Sequence, residues 1–117
     1  MACGEPIYRE EDFESYIEAG ADIKADFAMR CHGNSMINIG IKDGFIVFIQ
    51  KQPKVENGEI AAVGIDGEYT LKRFYNYGNI VLLRAENPDF KDIELKEGDA
   101  DNIIILGKAV AFQGDVK

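Results

Sequence analysis

The sequence predicts a mostly β domain with little helix. Short apolar runs are separated by turn residues at intervals of about 8–12 residues, the spacing of strands in barrels and sandwich-like folds. Tyr and Phe are plentiful at 5 and 7, Trp is absent, and β-branched residues recur, which suits pleated, half-buried surfaces. Asp66-Gly67 stands between two strand-like segments and is the strongest hairpin signal in the chain.

The elements follow in order. Residues 1–12, MACGEPIYREED, are polar, hold Gly4 and Pro6, and carry several acids. They read as an exposed arm or linker remnant, with the folded domain over 13–117. Phe13–Glu18 reads as a strand and Ala19–Ala25 as a loop. Asp26–His32 reads as a strand that ends at Gly33. The turn Gly33-Asn34-Ser35-Met36 leads into a short helical or irregular stretch up to Gly44. Phe45–Gln50 is apolar almost throughout, as a strand buried on both faces would be. Asn57-Gly58 turns the chain into Glu59–Ile65. The Asp66-Gly67 hairpin then returns it as Glu68–Tyr75. Tyr77-Gly78-Asn79 turns into Ile80–Arg84, and Glu86-Asn87-Pro88 marks a loop. Ile93–Leu95 reads as a short edge strand and Ile103–Phe112 as the last long one.

Composition narrows the function. A chain of 117 residues with 46% hydrophobic and 29% charged residues makes one water-borne domain with a sizeable core. The formal net charge of −8 opposes binding to phosphate backbones, so the domain alone is a poor DNA binder. The two cysteines, Cys3 and Cys31, form no disulfide framework. With His32 as the single histidine, no zinc set exists, and neither metal nor cofactor is expected. No apolar run is long enough for a membrane span, and no apolar leader opens the chain. A reduced cytoplasmic setting is the expectation.

Two residues stand out as carriers of chemistry. Ser35 follows a strand on a tight turn, where a hydroxyl can be presented beside backbone N–H groups able to hold an oxyanion. Taken alone, Gly33-Asn34-Ser35-Met36 is an ordinary turn. His32 is too close in sequence to meet Ser35 well as its base. Lys72 is the better candidate. Thr70, Lys72 and Phe74 share one strand face, so Phe74 can desolvate the ammonium and favour the neutral amine. Thr70 can orient it. Arg73 cannot serve, because guanidinium does not release its proton. A lone lysine on a strand is ordinarily a solvated one.

Together these residues resemble a known family, the LexA-like, S24-type self-cleaving repressors and their UmuD-like relatives. The resemblance runs through GNSM at 33–36, IKDGFIVFI at 41–49, NGEIAAVGIDGEYTLKR at 57–73, LLRAENPDF at 82–90 and ILGKAVAF at 105–112. It departs from the commoner pattern at Asn34, where Asp is usual, and at Ala85, where Pro is usual. It implies the LexA and signal-peptidase type of β-rich domain. It also implies Ser35 as nucleophile, Lys72 as general base, the backbone amides of Ser35 and Met36 as oxyanion donors, and a scissile bond at Cys3-Gly4. Further implications are a homodimer, stimulation by a RecA filament in the DNA-damage (SOS) response, and DNA binding only through an N-terminal helix-turn-helix that these residues do not contain. Two other readings share the pattern. One is a UmuD-like polymerase-accessory protein, which upstream sequence distinguishes. The other is a dimerisation module that keeps the fold without cleaving.

Overall fold

The structure, a computed structural model, describes residues 24–65, 67–96 and 103–114, together with the backbone of 3–7. The strand expected at Phe13–Glu18, most of the loop after it, the boundary at 12/13 and Asp66 lie outside the described residues.

Eight strands occur among the described residues: β1 Cys3–Ile7, β2 Phe27–Cys31, β3 Ile46–Lys51, β4 Ile60–Ile65, β5 Glu68–Asn76, β6 Ile80–Arg84, β7 Ile93–Lys96 and β8 Ile103–Gln113. A single 3-10 turn at Ile37–Ile39 is the helical content there. The chain is mostly β, as its turn spacing predicts. The strands form one antiparallel sheet in the order β1-β2-β3-β8-β4-β5-β6-β7. The sheet curls, so that β1 also lies against β5.

β8 holds the two halves together. Its first part pairs with β4, from Ile103↔Ile65 to Lys108↔Ala61. Its second part pairs with β3, from Gly107↔Lys51 to Gln113↔Ile46. The ladder is irregular near the crossing, between Ala62 and Val63 and between Phe48 and Ile49. Gly107 sits at this point for a steric reason: a Cβ there would stand 2.2 Å from the Gln50 carbonyl oxygen.

The continuous apolar run of β3 is explained by burial on both faces. Val47 and Ile49 join Met29, Cys31, Met36, Ile41, Ala62 and Leu71 in one core cluster. Ile46 and Phe48 pack with Ala28 on the other side. A further cluster gathers Ala61, Val63, Phe74 and Leu83. β5 therefore has buried residues on both faces at its centre, with Thr70, Leu71, Lys72 and Phe74 all buried. The β4–β5 hairpin closes from Ile65↔Glu68, with Gly67 at φ 83° in the left-handed conformation that such two-residue turns need.

Residues 3–7, within the segment read as an arm, form a strand paired with β2. The segment has no alternating apolar pattern, and Pro6 removes an N–H. An edge strand tolerates that proline, so composition alone gives no sign of the pairing.

Candidate active site

The turn that carries Ser35 is built where β2 stops. Cys31 N–H donates to the Phe45 carbonyl and Gly44 N–H to the Cys31 carbonyl, both at 2.7 Å. Gly33 takes φ 88°, and its N–H donates to Asp43 Oδ1 at 2.7 Å. Asp43 thus ties the start of the turn to the loop before β3. Met36 drops into the core cluster with no exposure and anchors the end of the turn.

Ser35 is held between these anchors and is fully buried. Its Oγ has no hydrogen-bond partner among the described residues. Leaving a buried hydroxyl unsatisfied costs about 1–3 kcal/mol, and such an orphan in a folded protein calls for a reason. His32, three residues earlier, is exposed and makes no bond to it.

Lys72 is the other unusual group, at 5% exposure. Its Nζ donates to Thr70 Oγ1 at 2.9 Å and to the Leu71 carbonyl at 3.1 Å. Across the hairpin it faces Ala61, and Phe74 lies on its own face at 4% exposure. Burial disfavours the ammonium and pushes the Lys72 pKa down to about 8. Nζ and Ser35 Oγ are not hydrogen-bonded to each other in this conformation.

The arm segment reaches the same region through its backbone. Cys3 pairs with Cys31 and Glu5 with Arg30, so two steps along β1 match one step along β2. Gly4 is therefore the extra residue of a bulge, a device that re-aims a strand locally. β1, which contains Cys3-Gly4, pairs with β2, the strand that leads to Ser35, and lies against β5, the strand that carries Lys72. Cys31 is disulfide-bonded, where the sequence reading expects reduced thiols. No group of His, Cys, Asp and Glu among the described residues is arranged to hold a metal. No helix among them is long and apolar enough to cross a membrane.

Three contributors to the site escape the sequence reading. Asp43 braces the turn from one side. Glu86 and Asn87 brace it from the other, through the Glu86 carbonyl, which accepts from Asn38 N–H at 2.9 Å, and through Asn87 Nδ2, which donates to the Asn34 carbonyl at 2.8 Å. In the sequence they are loop residues like any others; only the bridging of 53 positions between Asn34 and Asn87 gives them a role.

Fold and family agree on the class. The chain belongs to the Peptidase S24-like family, which matches residues 1–110. Among particular proteins, it is 42% identical over 98 residues to the LexA repressor of Photorhabdus laumondii, covering 81% of this chain and 49% of that one. It is 35% identical over 113 residues to the LexA repressor of Shewanella frigidimarina, covering 94% and 55%. The LexA repressor of Providencia rettgeri is 39% identical over 115 residues, with 94% and 55% covered. The chain spans about half the length of these curated relatives.

Proposed function

We propose that this domain is the self-cleaving part of a LexA-like repressor, with Ser35 as nucleophile, Lys72 as general base and Cys3-Gly4 as the bond cut. The observation that carries the reading is the presence of two costly buried groups: an unbonded serine hydroxyl and a lysine whose pKa is pushed to about 8. Pairs of this kind gather where chemistry is done.

The neutral amine of Lys72 takes the Ser35 hydroxyl proton, after turning from Thr70 towards the serine. Oγ bonds to the Cys3 carbonyl carbon. Backbone amides of Ser35 and Met36 hold the oxyanion. The C–N bond to Gly4 breaks, Lys72 returns the proton to the departing amine, and water releases the acyl group. Gly4 suits the position after the cut, because the absence of a Cβ allows close backbone approach. Substrate and catalyst share one chain, so the attack has the advantage of an intramolecular reaction. It happens once per chain.

In the parent protein, the cut separates this domain from an N-terminal helix-turn-helix. DNA half-sites require a dimer, so repression ends. A RecA filament on single-stranded DNA favours the cleavable state by binding it better than the uncleavable one. The net charge of −8 fits a domain that leaves DNA contact to another part of the protein.

Cleavage at Cys3-Gly4 gives a product whose N-terminus reads Gly-Glu-Pro-Ile. N-terminal sequencing and intact mass under reducing conditions, after incubation at alkaline pH, test this; a different new N-terminus removes the assignment of the scissile bond. Dimerisation is expected through β8, whose Ile104, Val110 and Phe112 are exposed apolar side chains at 65%, 38% and 44%. Sedimentation at high micromolar concentration should show a dimer, and a purely monomeric boundary there removes this interface.

A further inference from the structure

The Ser35 hydroxyl has no bond of its own to fix it. Its position is set by the backbone of its turn. The first half of that turn is held by Asp43 and β2. The second half is held by the loop after β6, at Ala85–Phe90. Three contacts from this loop fall on alternate residues around the serine. Asn87 Nδ2 donates to the Asn34 carbonyl at 2.8 Å, Glu86 N–H donates to Met36 Sδ at 3.4 Å, and the Glu86 carbonyl accepts from Asn38 N–H at 2.9 Å.

The same loop is fastened to the strand of the lysine. Arg73, the neighbour of Lys72, donates from Nε to Glu86 Oε1 and from Nη1 to the Gly58 carbonyl. One side chain and one backbone segment therefore join the residue next to the base to the residues on both sides of the nucleophile. Asn87 is itself set by a local turn, in which its Oδ1 accepts from Asp89 N–H at 3.0 Å. That bond aims the amide nitrogen at Asn34.

We propose that Glu86 and Asn87 are positioning residues for self-cleavage, a clamp that fixes the Ser35 turn relative to the strand of Lys72. The inference rests on the reading of Ser35 and Lys72 as the reacting pair. A misplacement of about 1 Å in a reacting group costs on the order of a hundredfold in rate, so a turn braced by Asp43 and the burial of Met36 alone is a poorer platform. Among the described residues, no hydrogen bond of the clamp falls on Ser35 Oγ or Lys72 Nζ.

Asn87→Asp is the discriminating variant. It keeps the acceptor for Asp89 N–H and removes the donor to Asn34, leaving two oxygens opposed. Asn87→Ala, which removes both bonds at a partly buried loop position, is the second. Self-cleavage is followed by intact mass across the alkaline range, alongside thermal unfolding by circular dichroism. The clamp predicts a plateau rate lower by about tenfold, the loss expected from one misplaced hydrogen-bonding group. It also predicts an unchanged rate midpoint near 8, since the burial of Lys72 is untouched, and an unchanged folded fraction. A plateau within twofold of the native one overturns the clamp, as does a rate loss that vanishes once rates are divided by the folded fraction. A native chain that does not cleave while Ser35→Ala behaves identically instead overturns the underlying reading of the pair.

Discussion

Lys72→Ala is expected to abolish self-cleavage while leaving a folded domain. The side chain is nearly fully buried, yet its removal leaves only small groups behind: Thr70 Oγ1 and the Leu71 carbonyl lose one donor. In the proposed mechanism, the loss of a general base costs about 10²–10⁴ in rate. Lys72→Arg separates base from charge. It retains a cation and hydrogen-bond donors, but guanidinium does not deprotonate, so this variant is expected to be equally inactive. It also forces a larger charged group into a site that already disfavours the ammonium, so it is expected to unfold at lower denaturant than Lys72→Ala. Ser35→Ala removes the nucleophile and an unsatisfied buried hydroxyl together. It is expected to be inactive and to unfold at slightly higher temperature than the native chain. Intact mass gives the cleavage, and circular dichroism gives the fold. Persistent cleavage in Lys72→Ala with a native pH profile would transfer the role of base elsewhere, although the exposure of His32 leaves that residue poorly placed to take it.

The strands from β2 onward were legible because local rules write them. β3 is an unbroken apolar run, and both of its faces are buried. The β4–β5 hairpin is written by Asp66-Gly67, and the register closes beside it. Thr70, Lys72 and Phe74 fall on one face by the period of two, and the bond from Lys72 to Thr70 follows from that spacing. What was not legible is long-range. Nothing in CGEPI marks a strand, since β1 gains its backbone partners from β2 and not from its own pattern. The central position of β8, paired on both sides, depends on the close approach of Gly107 to the Gln50 backbone, which a C-terminal apolar stretch does not announce. Asp43, Glu86 and Asn87 act by bonding to residues 10 to 53 positions away, and polar loop residues carry no periodicity from which such partners can be read.

The pH dependence of both cleavage and stability should follow the Lys72 pKa of about 8. Only the neutral amine accepts the serine proton. Below about pH 8 the neutral fraction rises tenfold per pH unit, and the rate of RecA-independent cleavage is expected to rise with it, then level off above about pH 9. The same shift acts on folding. In the unfolded chain this lysine titrates near 10.4, so between about 8 and 10.4 the unfolded state binds more protons than the folded one. Stability attributable to Lys72 therefore increases with pH across that window. At neutral pH the full penalty for burying the ammonium is present, on the order of 3 kcal/mol from a shift of this size. Lys72→Met keeps the length of the side chain and removes the charge. Its stability advantage over the native chain, measured by urea unfolding, is expected to shrink by about 3 kcal/mol between about pH 7 and about pH 11. A constant difference across that range, together with a cleavage rate flat in pH, would place the Lys72 ammonium in water and remove it as the base.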